Sequence, residues 1–187
     1  VKEVVDNINA NKINILGHSM GGYVSLAFAE KFPELVESLT LFFSTTLADD
    51  EEKKQIRRRS TAVIDENFET FVNASIPNLF SNNEKDILEG KIELKKKIAK
   101  STNKEGVKAA QLGMAERPNR TEILETLDTK ILIIAGKYDN AVKTENLLKI
   151  IPEKTNIKTY VLDSAHNGHW QKPTICAETI NTELLHN

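Results

Sequence analysis

The segment Gly17-His18-Ser19-Met20-Gly21-Gly22 constrains the fold of this 187-residue chain more than any other feature. The segment Ile13-Asn14-Ile15-Leu16 before it favours a short strand, and residues 23–32 after it favour a helix that ends near Pro33. The segment has the G-x-S-x-G pattern, in which a serine is held on a tight turn between a buried strand and a helix. A second strand at 38–43 completes a right-handed crossover, which predicts a parallel sheet.

The same alternation of strands and helices resumes in the C-terminal part of the chain. Residues 130–135 form a β-rich run that is continuously apolar from Ile131 to Ala135 and rich in isoleucine, which is typical of a strand buried on both faces. Residues 157–162 predict a further strand. Helices are predicted over 141–151 and 173–185. These elements extend the parallel α/β core beyond the first crossover.

The middle of the chain, residues 44–117, is highly charged and shows no convincing strand pattern. Its helices are predicted to start at the acidic run 49–52 and to cover 66–74, 84–100 and 104–116. We therefore predict two parts: an α/β core made of residues 1–43 and 118–187, and a helical lid at 44–117 that interrupts it.

Composition excludes several classes of partner. A net charge of −2 gives no electrostatic reason to bind nucleic acid or an anionic membrane. Apolar runs such as 131–135 are far too short to span a bilayer. The four histidines are scattered, no metal-binding spacing occurs, and Gly21-Gly22 lacks the lysine of a phosphate-binding loop. We expect no metal, no cofactor, no nucleic acid and no membrane as partners, and the sequence leaves the oligomeric state open.

The single cysteine, Cys176, allows no intrachain disulfide and no cysteine-based metal cluster. This is compatible with a reducing cytosol. The first six residues carry charges where a signal peptide would have an apolar stretch. We therefore expect a cytoplasmic protein. The sequence starts with Val1 in the middle of a helical pattern, so any targeting segment would lie before it.

Three residues suited to nucleophilic catalysis follow three different predicted strands. Ser19 follows the strand at 13–16, Asp139 the one at 130–135, and His166 the one at 157–162. Open parallel sheets keep their sites at the carboxyl ends of the strands. A serine hydroxyl needs an imidazole to take its proton, and the imidazole needs a carboxylate to fix its tautomer. The order serine, acid, histidine is the one that the turn motif predicts.

Each of these assignments has an alternative. Asp139 could cap a helix that starts near residue 141, and Asp49 and Asp50 are other candidate acids, although a charged helix start suggests that they face solvent. His18, His169 and His186 compete with His166 for the role of base. His186 lies in a terminal tail and His18 is inside the turn, so His169 is the main competitor. We favour Asp139 because it follows the strand at 130–135, and His166 because it is the first histidine after the strand at 157–162.

The turn around Ser19 predicts further roles for its neighbours. Gly17 and Gly21 are expected where a side chain would collide with the strained turn. The backbone N–H of Met20, at the start of the next helix, is one donor for an oxyanion. His18 precedes the serine, cannot easily face it, and is expected to line the substrate pocket.

These residues resemble the α/β-hydrolase superfamily, in particular the lid-bearing proteins often described as carboxylesterases, enol-lactonases or cofactor-free haloperoxidase-like proteins. The resemblance implies a serine hydrolase that cleaves carboxylic esters or related small acyl compounds through an acyl-enzyme, with Ser19, Asp139 and His166 as the triad. The segments that carry it are 13–22, 32–36, 114–120 leading to 131–139, and 164–166 with Pro173.

Two departures from the family pattern bear on activity. Gln171 stands where family members often have a glutamate. Family members also carry strands and a His-Gly type loop before the serine turn, and that loop supplies a second oxyanion donor. The sequence starts after that region, so we expect an apolar edge at 13–16 and an impaired activity, since one lost donor costs about 10²- to 10³-fold. The alternative is a degenerate hydrolase fold that serves as a non-enzymatic binding or assembly module.

Overall fold

The computed structural model describes residues 1–184, so the predicted helix end at Leu185 and His186 lie outside the described residues. Val1–Leu47 and Arg120–Asn187 form one compact unit, and Ala48–Asn119 form a second. Across residues 1–184, no helix combines the length and the apolar character that crossing a membrane requires. In chain order the helices and strands are α1 (Lys2–Asn7), β1 (Ile13–His18), α2 (Met20–Lys31), β2 (Val36–Phe42), α3 (Glu51–Glu66), α4 (Phe68–Ser75), α5 (Glu89–Lys100), α6 (Lys104–Glu116), α7 (Glu122–Thr126), β3 (Lys130–Gly136), α8 (Thr144–Leu148), β4 (Ile157–Leu162), α9 (Gly168–Gln171) and α10 (Pro173–Leu184).

The first unit is built on a four-stranded sheet in the order β1-β2-β3-β4. Every neighbouring pair is parallel, with Gly17 opposite Leu41 and Leu41 opposite Ile133. The parallel α/β architecture predicted from the sequence is confirmed. Because the strands are parallel, their carboxyl ends lie along one edge of the sheet, and the segments that follow them emerge there together.

Strand β3 shows why the sheet is buried on both faces. Ile131 and Ile133 point into a cluster with Leu39 of β2 and Leu26 of α2, whereas Leu132 and the alternate residues of β3 point into a second cluster on the opposite face. That second cluster includes Phe42, Phe43, Leu162 and Cys176. Each fully buried leucine or isoleucine side chain contributes about 1.5–3 kcal/mol to the free energy of folding relative to an exposed one. The continuous apolar run that predicted a doubly buried strand therefore reflects two hydrophobic layers.

Strand β1 lies at one end of the strand order, next to β2 alone among the described strands. Its side chains are less buried than those of β2 and β3, and Leu16 is 43% exposed. The apolar edge that the sequence predicted at 13–16 is thus present in residues 1–184.

The helix predicted at 141–151 is much shorter in the structure, where α8 covers Thr144–Leu148 only. The side chain of Asp139 accepts hydrogen bonds from the backbone N–H groups of Ala141 and Val142, at 2.8 Å each. These two N–H groups are therefore held in a turn and do not begin a helix. The prediction was wrong because it treated the residues after Asp139 as helical by composition.

The second unit is helical, as the charge pattern of the middle segment predicted, and side-chain caps set the starts of three helices. Asp50 accepts a hydrogen bond from the N–H of Lys53 at the start of α3, Asn67 does the same at α4, and Asn103 at α6. Such caps satisfy N–H groups that have no partner within the helix and contribute about 1 kcal/mol each. Helix α5 begins at Glu89, five residues after the predicted start at 84, because a 3-10 turn occupies Asn82–Glu84.

Asp49 is not solvated, contrary to the expectation from its acidic neighbourhood. Its carboxylate is buried and accepts hydrogen bonds from the guanidinium groups of Arg57 and Arg117, the latter at 2.8 Å. Burial alone would raise the pKa of Asp49, but the two arginines outweigh it and hold the pKa below its ordinary value. Asp49 therefore joins the two ends of the helical unit through a buried ion cluster.

Candidate active site

Ser19 occupies a strained turn between β1 and α2. Its backbone has φ 52° and ψ −117°, a combination that residues with a side chain rarely adopt. Such a conformation costs about 1–3 kcal/mol and persists only where the surroundings impose it. Here the N–H of Ser19 donates to the carbonyl of Phe42 at 3.0 Å, and its own carbonyl accepts from the hydroxyl of Ser44 at 2.8 Å. The end of β2 thus holds the turn in place.

Two glycines around Ser19 are required by close packing, but they are not the pair that the sequence predicted. A Cβ at Gly17 would overlap the backbone of Gly21, so the prediction for Gly17 agrees with the geometry. A Cβ at Gly21 would meet no atom within 4 Å, and that prediction was wrong. The tight position is Gly22, where a Cβ would overlap the side chain of Ser44. The sequence around the turn could not reveal this, because the obstacle comes from the segment after β2.

A continuous hydrogen-bond chain links Ser19, His166 and Asp139. The hydroxyl of Ser19 lies 2.7 Å from Nε2 of His166, and Nδ1 of His166 lies 2.8 Å from Oδ2 of Asp139. A carboxylate only accepts, so Nδ1 carries the proton and Nε2 is left to accept from the serine hydroxyl. His166 is 3% exposed and Asp139 is 8% exposed. The structure therefore brings together the three residues that the sequence placed after separate strands.

Asp139 makes both kinds of contact that its position suggested, one with the loop and one with the histidine. One carboxylate oxygen accepts from the N–H groups of Ala141 and Val142, as a cap would, and the other accepts from His166. The loop hydrogen bonds fix the rotation of the carboxylate, so the second oxygen stays directed at the imidazole. Asp49 and Asp50, the other candidate acids, are engaged within the helical unit.

The loop between β4 and α10, which carries His166, is also held by residues other than Ser19 and Asp139. The backbone N–H of Ala165 donates to Oε1 of Gln171 at 2.9 Å, so the amide at the position of the family glutamate still makes a supporting contact. Gly168 packs against the ring of Phe43 so closely that a Cβ would overlap it. These contacts fix the loop that carries His166.

The remaining predicted site residues lie next to the serine turn. Met20 is the first residue of α2, so its backbone N–H stands among those that have no acceptor inside the helix by position. His169, the alternative base, packs its ring against His18 with the centroids 4.5 Å apart, whereas the imidazole within hydrogen-bond distance of Ser19 is that of His166. Nε2 of His18 lies 3.2 Å from the backbone carbonyl of His166. No cluster of three metal-binding side chains occurs within residues 1–184.

Comparison with known proteins gives a consistent family. A family model described as alpha/beta hydrolase fold matches residues 1–173. A solved structure of a thermophilic esterase from Thermogutta terrifontis superposes with a TM-score of 0.86 at 29% sequence identity, covering 96% of this chain and 67% of that one.

Two curated relatives are similar along nearly the whole chain. A Bacillus subtilis (strain 168) protein with the provisional name 2-succinyl-6-hydroxy-2,4-cyclohexadiene-1-carboxylate synthase is 25% identical over 97% of this chain. A 2-hydroxy-6-oxononadienedioate/2-hydroxy-6-oxononatrienedioate hydrolase from Escherichia coli (strain K12) is 25% identical over 91% of it. The chain spans 69% of the length of the first relative and 60% of the second.

Proposed function

The chain belongs to the α/β-hydrolase family, and on that premise we propose that the protein is a serine hydrolase of carboxylic esters or related small acyl compounds. The observation that carries the proposal is the hydrogen-bond chain from Ser19 through His166 to Asp139. A polar chain of this kind, with a strained serine at one end, is needed for nucleophilic catalysis and has no evident use in a binding module.

The geometry supports acylation in the following order. His166 takes the hydroxyl proton at Nε2 while Oγ of Ser19 attacks the substrate carbonyl carbon, and Asp139 stabilises the resulting imidazolium through Nδ1. The carbonyl oxygen becomes an oxyanion, to which the N–H of Met20 at the start of α2 can donate. When the C–O bond to the leaving alcohol breaks, His166 returns the proton to the alcohol oxygen.

Deacylation repeats the same steps with water. His166 takes a proton from water, the hydroxide oxygen attacks the acyl carbon, and the proton passes back to Oγ of Ser19 as the acid leaves. The proposed reaction uses no cofactor. One N–H donor accounts for part of the oxyanion stabilisation, and each such donor contributes about 10²- to 10³-fold to kcat.

The experiment is labelling of the full gene product with a fluorophosphonate probe, alongside hydrolysis of p-nitrophenyl acetate. Ser19→Ala is the matched control, because it removes only the hydroxyl oxygen. We expect labelling and hydrolysis in the native protein and neither in the variant. Equal labelling of the two proteins would overturn the assignment of Ser19, and a folded native protein that is not labelled would favour the binding module.

A further inference from the structure

His18 makes a direct link between the serine turn and the histidine loop. It is the last residue of β1, and its Nε2 lies 3.2 Å from the backbone carbonyl of His166. A carbonyl oxygen only accepts, so Nε2 of His18 carries the proton and donates it. The residue before the nucleophile is therefore hydrogen-bonded to the main chain of the residue that would act as the base.

The ring of His18 is confined by aromatic neighbours. It packs at centroid distances of 5.8 Å from Phe42, 6.1 Å from Phe43 and 4.5 Å from His169. These contacts come from the end of β2 and from α9, so they restrict the ring on more than one side. The donor at Nε2 is held toward the His166 carbonyl by packing as well as by the hydrogen bond itself.

The sheet topology makes such a link useful. Ser19 follows β1 and His166 follows β4, and two further strands separate β1 from β4. With a spacing of about 4.8 Å between neighbouring strands, the two chain segments leave the sheet roughly 14 Å apart. The loop after β4 must reach across the edge of the sheet to place Nε2 of His166 2.7 Å from Ser19. A displacement of about 1 Å in such a geometry can cost on the order of 10²-fold in rate.

We infer that His18 is a positioning residue, which fixes the distance between Ser19 and His166 by holding the main chain of the histidine loop. This inference rests on the proposed function. It gives His18 a role besides the expected one of lining the substrate pocket, because the proton at Nε2 is donated to a backbone carbonyl. The hydrogen bond holds the backbone of His166, and the position of that backbone determines where the imidazole meets Ser19.

The test compares two substitutions of His18 in the full gene product. His18→Phe keeps a planar ring among Phe42, Phe43 and His169 but has no donor, whereas His18→Gln keeps an N–H near the position of Nε2. We expect kcat for p-nitrophenyl acetate to fall about 10- to 10²-fold in the phenylalanine variant, with KM within about twofold, and to recover in large part in the glutamine variant.

Thermal unfolding verifies that both variants are folded. If His18→Phe does not fold, His18→Asn is the second variant without a donor in reach, because its shorter amide cannot span the gap.

The outcomes separate positioning from substrate binding. A rise in KM with kcat unchanged in the phenylalanine variant would mean that His18 binds substrate, and a kcat unchanged in both variants would overturn the inference.

A proton NMR measurement gives a readout that does not need turnover. The resonance of the Nδ1 proton of His166, bonded to Asp139, should broaden or shift in His18→Phe and return in His18→Gln. A resonance that is the same in all three proteins would refute the role of His18 even if the native protein were inactive. Failure of the proposed function is recognised separately, by native protein that shows no Ser19-dependent labelling.

Discussion

Asp139 offers the sharpest test of the candidate site, because two substitutions should separate its structural role from its chemical one. Its carboxylate accepts three hydrogen bonds: two from the loop N–H groups of Ala141 and Val142 and one from His166. In Asp139→Asn the amide oxygen can keep both loop bonds. The amide nitrogen then faces Nδ1 of His166 and donates to it, which moves the imidazole proton to Nε2.

That tautomer cannot accept a proton from Ser19. In a serine protease the same exchange lowers kcat by about 10⁴-fold, which corresponds to roughly 5.5 kcal/mol of transition-state stabilisation. We expect a loss of this size in the rate of fluorophosphonate labelling of Asp139→Asn. The free energy of unfolding should fall by only about 1 kcal/mol, because the loop keeps its acceptor.

Asp139→Ala is the matched comparison, since it removes the acceptor altogether. The N–H of Val142 is buried and would lose its partner, at a cost of about 1–3 kcal/mol, with a smaller cost for the partly exposed Ala141. We expect both labelling and the melting temperature to fall. Labelling of Asp139→Asn within tenfold of the native rate would refute the role of Asp139, and equal melting temperatures for the two variants would refute the role of the loop bonds.

Two further predictions follow from strain and from buried charge. Both Ser19→Gly and Ser19→Ala should lose labelling. The free energy of unfolding should be up to about 1 kcal/mol higher for Ser19→Gly, because glycine adopts the positive φ without strain. A lower free energy of unfolding for Ser19→Gly than for Ser19→Ala would mean that the turn stores no strain. The lowered pKa of Asp49 contributes stability that is present above its ordinary value of 3.8 and is lost as pH falls through the lower native value. Asp49→Asn should therefore be about 3 kcal/mol less stable than the native protein at pH 7 by urea denaturation, with a smaller difference below pH 3.8, and a pH-independent difference would refute the charge argument.

The strands and the order of the candidate catalytic residues could be predicted because they depend on local sequence. Strand β4 covers the predicted 157–162, and β3 extends the predicted 130–135 by one residue. A buried parallel strand must be continuously apolar, and a serine on a tight turn must have small neighbours. Both features can therefore be recognised in a sequence window of about ten residues. The parallel sheet then places the segments after β1, β3 and β4 along the same edge.

What the sequence could not predict depends on contacts between distant segments. Gly22 is required by Ser44, which lies on the next crossover, and Asp49 is buried by Arg57 and Arg117, of which the latter is far along the chain. The hydrogen bond from His18 could not be predicted either, because nothing near His18 in sequence identifies the His166 carbonyl as its acceptor. In each case the partner of the residue lies on another segment of the chain, which the local pattern does not identify.

These distant contacts converge on the serine turn, which explains how an unfavourable backbone conformation is kept. Phe42 accepts the N–H of Ser19, Ser44 donates to its carbonyl, and the close approach of Gly17 to Gly21 leaves no room for the turn to relax. The acceptor is the last residue of β2 and the donor follows it by two residues, so the strain at Ser19 is balanced by interactions with the neighbouring strand and its end. A change at Ser44 should therefore affect Ser19 as directly as a change in the turn itself, although no sequence motif connects the two residues.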